Sequence, residues 1–248
     1  MNAVLVAACA AAGLVVGPVL AGPIARLPID DRGERGPLFR ARCAQCGTRD
    51  NRLFLPLRRP ACPTCGTRPG CRAYLVPLLT TTLFIAMAAR IGSRLALIPF
   101  LFLAAVLVVI AFIDIDHLRI PDRVTFPSLG VSAALIAVVS VSDGHPHWIV
   151  DALIGALAFF AILLVFHLLS PAGMGFGDVK LGLLLGLYLG WISPRLVVWG
   201  LLLGAVLGTG IGVAVAIARR SRKAAFPFGP ALGLGTMLAV VLAPRLLG

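Results

Sequence analysis

Charge is scarce in this sequence. Only 13% of its 248 residues are Asp, Glu, Lys or Arg, against roughly 25% in ordinary soluble domains, and just ten are acidic. A water-soluble fold of this size needs a charged exterior, so the shortfall argues against one. Familiar hydrolase signatures are missing too. The four histidines form no His-Glu-x-x-His, which removes the helical zinc metalloproteases. No Gly-x-Ser-x-Gly elbow is present, which removes the serine hydrolases built on it. No Lys or Arg precedes the first apolar stretch, whereas a cleavable secretion signal normally opens with a positive segment. That stretch therefore reads as a true first helix. No period of a solenoid or tandem array is found.

What the chain has in abundance is apolar surface. Hydrophobic residues make up 59% of it, and they fall into runs at 2–24, 74–89, 95–113, 124–141, 148–169, 179–192, 196–218 and 226–242. A helix needs about 20 apolar residues to cross the hydrocarbon core of a bilayer. Several of these runs are apolar all round, unlike the period-3.6 stripe of a soluble helix. The expected fold is an all-α polytopic membrane protein with about eight transmembrane helices. In the short sixth run Gly182, Gly186 and Gly190 recur every four residues, a spacing that lets helix backbones approach closely in a bilayer.

The net charge of +12 does not imply a nucleic-acid partner. Its cations lie in the breaks between apolar runs, where an excess of Lys and Arg on the cytoplasmic side sets topology. With the N-terminus outside, segments 26–72, 114–123, 170–180 and 219–223 become cytoplasmic and hold 18 of the 22 Lys and Arg. The opposite side receives only Arg90, Arg94, Arg195 and Arg245. The expected organisation is a first transmembrane helix at 1–25, a cytoplasmic loop domain at 26–73 and a seven-helix membrane domain at 74–248. The bilayer is thus the first partner the sequence implies.

The loop domain contains Cys43-Ala44-Gln45-Cys46 and, after 15 intervening residues, Cys62-Pro63-Thr64-Cys65. Two residues between cysteines allow a tight turn that aims both thiolates at one ion, and two such units form a four-thiolate zinc site. Four protein ligands leave no open coordination position, so the zinc-ribbon-like insertion is expected to bind a structural zinc. Cys71 lies close enough in sequence to be a substitute ligand.

Ionisable groups near membrane depth need a structural or functional reason. Asp114 and Asp116 close the third apolar run, Asp122 follows, and Asp178 opens the sixth within Gly173-Met174-Gly175-Phe176-Gly177-Asp178-Val179-Lys180. The topology puts Asp114 and Asp178 on the same side at similar depth. Two carboxylates brought together there can share a proton, one acting as base on a water and the other as acid on a scissile amide. Gly175 and Gly177 leave bare backbone against which an extended peptide can lie. Lys180 can snorkel to the interface or offset the charge of the pair. On physics alone a second reading stays open, in which these aspartates are helix caps and topology signals.

At these residues the sequence resembles the prepilin peptidase family, the bacterial type IV leader peptidases related to presenilin-like Gly-x-Gly-Asp intramembrane proteases. The Gly-x-Gly-Asp-x-Lys block at 175–180 is similar to the family's second catalytic motif, and Asp-x5-Ile-Pro-Asp at 114–122 to its first. Phe226-Pro227-Phe228-Gly229-Pro230 looks like the Pro-Phe-Gly-Pro element of the last helix, and the paired-cysteine loop like that of the long, bifunctional members. The resemblance implies Asp114 and Asp178 as the catalytic pair. Asp116 and Asp122 are then supporting groups, with Asp116 the main rival to Asp114. It further implies prepilin or pseudopilin substrates, cut on the cytoplasmic side of the bacterial cell membrane. Long members also N-methylate the new N-terminus with S-adenosylmethionine. Here Gly17 is followed by Pro18, and Ala21 stands where the family has Asn, while Arg26-Leu27-Pro28 fits. Methyl transfer therefore stays open. The alternative to an enzyme is a membrane scaffold or transporter with a zinc-ribbon adaptor.

Overall fold

The computed structural model describes residues 3–26, 64–66, 70–170, 173–218, 220 and 226–243. Among them the regular structure is helical, with no strand. In chain order the helices are α1 (Ala3–Arg26), α2 (Arg72–Ile91), α3 (Leu97–His117), α4 (Asp122–Ser142), α5 (His147–Leu169), α6 (Phe176–Ile192), α7 (Pro194–Ala218) and α8 (Gly229–Leu242). Each answers to one of the eight apolar runs. Six are long and apolar enough to cross a membrane, which makes the chain a multi-pass membrane protein. Of the loop domain expected at 26–73, most lies outside the described residues.

Two helices are shorter than a full span: α6 has 17 residues and α8 has 14. At 1.5 Å per residue α6 measures about 25 Å, below the ~30 Å of a typical hydrocarbon core. Its surroundings account for this. It packs against α4, α5, α7 and α8, and Leu181, Leu184, Leu185, Tyr188, Leu189 and Trp191 are all buried. A helix apolar on every side belongs inside protein, and α6 is the inner helix of its bundle.

The chain divides into two compact units, residues 1–109 and 110–248. In the first, α1 packs on α2 through Gly13 and Gly17. A Cβ added at these glycines would lie 2.6 Å from Thr81 Cα and 2.4 Å from Pro77 Cα, so only hydrogen fits. Small residues four apart let two backbones meet in this way.

In the second unit the glycine spacing of α6 has the consequence expected of it. Gly155 of α5 faces Gly186 and Gly190, and its added Cβ would come within 2.4 Å of Gly190 Cα. On another side of α6, two buried hydrogen bonds reach α4. Tyr188 donates its hydroxyl to Ser132 Oγ at 3.0 Å, and Trp191 donates Nε1–H to Ser140 Oγ at 2.9 Å. These contacts set the depth of α6, and with it the position of the acidic residue in its first turn.

Candidate active site

The site is built where α3 ends and α6 begins. Asp114 lies in the last turn of α3. That helix stops at Leu118, whose φ of 51° is left-handed and whose N–H returns to the Asp114 carbonyl at 2.8 Å. A left-handed residue after the last helical turn is a common way to end a helix, although it strains a Leu. The segment that follows places Ile120 against Gly177: a Cβ on Gly177 would sit 3.0 Å from Ile120 Cβ and 3.4 Å from its nitrogen. Pro121, in an extended conformation, is the N-cap of α4.

Asp178 is the third residue of α6, whose N-cap is Gly175 in an extended conformation. The Asp178 amide donates to the Gly175 carbonyl at 3.1 Å. The aspartate is therefore not the N-cap itself, although it stands in the first turn, where the helix dipole favours negative charge.

Both carboxylates are buried, with 5% exposure at Asp114 and 7% at Asp178, and Ile120 borders both, against Gly177 beside Asp178 and against Gly229 beside Asp114. Gly229, the first residue of α8, donates its backbone N–H to Asp114 Oδ2 at 2.9 Å. Asp178 Oδ2 faces Gly175, while its Oδ1 is buried without a hydrogen-bond partner. A buried acceptor left unpaired is costly unless it serves a purpose. Here it leaves one carboxylate oxygen available to a proton, a water or a substrate.

Gly229 is held by its neighbours. Phe228 lies against Gly208 of α7, where an added Cβ would be 2.3 Å from Phe228 Cε2, and Phe226 lies against Gly212, with 2.9 Å to Cε1. The two rings meet edge to face, 6.2 Å apart. Two aromatic side chains seated on glycines of α7 thus present the Gly229 amide to Asp114. A Cβ on Gly229 itself would approach Asp114 Oδ2 to 2.9 Å and Ile120 Cδ1 to 3.1 Å.

The remaining residues singled out in the sequence are placed as follows. Asp116 is half-buried and, two positions from Asp114, points to a different side of the helix. Asp122 is exposed and forms a two-pronged ion pair with Lys180, at 2.8 and 2.7 Å. Lys180 Nζ also lies 5.1 Å from the Phe176 ring centre and 5.6 Å from that of Phe126. Its charge is matched by Asp122. The bare backbone anticipated at both glycines is found at Gly175 only in part, beside Asp178, while at Gly177 Ile120 of the same chain takes the space. Cys43, Cys46 and Cys62 lie outside the described residues, and Cys65 and Cys71 are exposed.

Two features escaped the sequence. The Gly229 amide belongs to the Phe226–Pro230 segment that the sequence marks, but its donation to Asp114 depends on α8 starting beside the end of α3. His167, near the end of α5, places Nδ1 2.8 Å from the Met174 carbonyl oxygen and its ring 5.5 Å from that of Phe176. A lone histidine in an apolar helix gives no local pattern from which such a contact can be read.

Comparison with known proteins agrees with the motif reading. A model of the type IV leader peptidase family matches residues 101–213, a stretch containing both aspartates. The chain is similar to a protein of Aeromonas hydrophila named prepilin leader peptidase/N-methyltransferase, with 34% identity over 172 residues, or 67% of this chain and 57% of that protein. Proteins of the same name from Dichelobacter nodosus and Myxococcus xanthus (strain DK1622) are 31% and 33% identical. These matches cover 80% and 83% of this chain and 69% and 62% of theirs. The chain thus spans about six tenths of the length of the Aeromonas relatives it matches. No solved structure matches it.

Proposed function

The chain belongs to the type IV leader peptidase family, and from that premise we propose that it is an intramembrane aspartyl endopeptidase with Asp114 and Asp178 as its catalytic pair. Its substrates are type IV prepilins or pseudopilins, which lose their leader peptide at the cytoplasmic face of the bacterial cell membrane. The observation that carries this reading is the pair of buried carboxylates at the meeting of α3 and α6, with one oxygen of Asp178 unbonded.

Like charges held close cannot both ionise easily, so the pair carries one proton between them. The ionised carboxylate takes a proton from a water, whose oxygen attacks the scissile carbonyl. The protonated one delivers its proton to the leaving amide nitrogen as the C–N bond breaks. The starting location of the proton is a property of the pair. The Gly229 N–H fixes the orientation of Asp114 throughout, and the unbonded Oδ1 of Asp178 is free to hold the shared proton or to face the water. Asp116 is less buried, which supports Asp114 as the member contributed by α3.

The concentration of 18 of the 22 cations in one set of loops supports a cytoplasmic active site and an external N-terminus. Cys43, Cys46, Cys62 and Cys65 hold a structural zinc in this reading, checked by metal content before and after Cys→Ser replacement. The names of the relatives join the peptidase to an N-methyltransferase. Whether this chain keeps that second activity, with S-adenosylmethionine as donor, is read from the same product.

The test is mass spectrometry of a prepilin incubated with the purified protein in proteoliposomes, with and without S-adenosylmethionine. A product shortened by its leader supports the peptidase. An uncut prepilin favours a membrane scaffold or transporter. A further mass of one methyl group reports the transferase.

A further inference from the structure

We propose that His167 is a positioning residue for Asp178: its imidazole fixes the turn that delivers this carboxylate by donating Nδ1–H to the Met174 carbonyl. The inference rests on the catalytic pair proposed above and adds an element on α5 that holds it.

The first turn of α6 begins without a side chain to cap it. Its N-cap is Gly175, which has no side chain to form a cap bond. Inside the turn Asp178 meets Gly175 through its amide and its Oδ2, so Met174, just before the turn, is where a contact from another helix can fix the path of the backbone. The Met174 carbonyl oxygen lies 2.8 Å from His167 Nδ1. A carbonyl only accepts, so Nδ1 carries the hydrogen whether the ring is neutral or charged. The same ring lies 5.5 Å from Phe176, the first residue of α6. His167 thus touches the residues on either side of the glycine cap.

On the other flank the turn is held from α4 and the segment before it. Lys180 stands over Phe176 and binds Asp122, and Ile120 packs on Gly177. His167 completes a three-sided grip on residues 174–180. A histidine that merely satisfied its own polar group would be replaceable by an apolar side chain without effect on Asp178. A positioning histidine is replaceable only by a side chain that donates from the same place.

Asparagine meets that condition, because its amide nitrogen falls near the position of histidine Nδ1, whereas glutamine carries the amide one carbon further out. The experiment compares His167→Asn, His167→Gln and His167→Leu with wild type and Asp178→Asn in proteoliposomes. Both kcat and KM for leader cleavage are measured, with the amount of protein in the membrane. Misplacing a catalytic group by a fraction of an ångström to 1 Å is worth about 10- to 100-fold in rate. The Gln and Leu variants are expected to lose kcat by about that factor with KM unchanged, and Asn to stay within about threefold of wild type. Wild-type kcat in Gln and Leu, or a loss in Asn as large as theirs, overturns the proposal. If the Leu variant fails to accumulate, the Asn and Gln pair decides. Full cleavage by Asp178→Asn overturns the catalytic pair, a result separate from either of these. Amide exchange at Asp178 gives a readout independent of cleavage. It is expected to quicken in Gln and stay at the wild-type rate in Asn, and equal rates in the two contradict the clamp.

Discussion

Gly229 donates its backbone N–H to Asp114 Oδ2 at 2.9 Å, joining the first residue of α8 to the last turn of α3. A backbone hydrogen bond to a buried carboxylate fixes its orientation. The bond comes from the backbone, so no side-chain substitution removes it directly. It is open to steric attack, however, because Gly229 has no room for a Cβ on the side of Asp114 and Ile120.

The first prediction concerns that contact. In Gly229→Ala the new Cβ would come within 2.9 Å of Asp114 Oδ2 and 3.1 Å of Ile120 Cδ1, so the carboxylate must move. Leader cleavage is expected to fall by about 10-fold or more, with the protein still present in the membrane. Steady-state kinetics alongside quantitative membrane blotting checks this.

A second prediction follows from the seating of Phe228 on Gly208. A Cβ there would be 2.3 Å from the ring, and overpacking of this kind typically costs about 1–3 kcal/mol. Gly208→Ala is expected to lower both the melting temperature and the cleavage rate. Adding Phe228→Leu removes the obstructing ring atoms and should recover part of both. Thermal melts and kinetics of the two single variants and the double variant measure the recovery. A purely additive loss contradicts the fit.

How much of this was legible in the sequence depends on the range of each interaction. The eight helices are readable because hydropathy is a local property. The close approach of α5 and α6 is announced by Gly182, Gly186 and Gly190, although Gly155, which meets two of them, stands alone in α5 and advertises nothing. Asp114 and Asp178 stand out because charge is rare at the ends of apolar runs. The partner of Lys180 is less accessible to such reasoning: Asp122 lies 58 residues away, and only the side-by-side placement of the α4 and α6 starts brings them together. The same is true of Ile120 filling the bare face of Gly177, and of His167 reaching Met174 around the end of α5.

The third prediction tests the hydrogen bonds that set the depth of α6. Interhelical bonds within membrane proteins average about 0.6 kcal/mol and reach roughly 1.7. Ser132→Ala is expected to destabilise by an amount in that range, and Tyr188→Phe by a similar amount. The double variant should lose less than the sum, because both changes remove one contact of 3.0 Å. Unfolding of all four proteins closes the cycle, and strict additivity contradicts a direct bond.

The pairing of Asp114 with Asp178 is the centre of the account, and replacing each with Asn is its most direct test. Asparagine keeps the size of the side chain while removing the titrating oxygen, so helix packing is preserved and the shared proton is lost. Cleavage of a prepilin by Asp114→Asn, Asp178→Asn and Asp116→Asn is measured in proteoliposomes across a range of pH. The wild type is expected to show a bell-shaped profile, since activity requires one proton on the pair and fails when it holds two or none. The account predicts no detectable cleavage by the first two variants at any pH and substantial cleavage by the third. Wild-type cleavage by either Asp114→Asn or Asp178→Asn would contradict it.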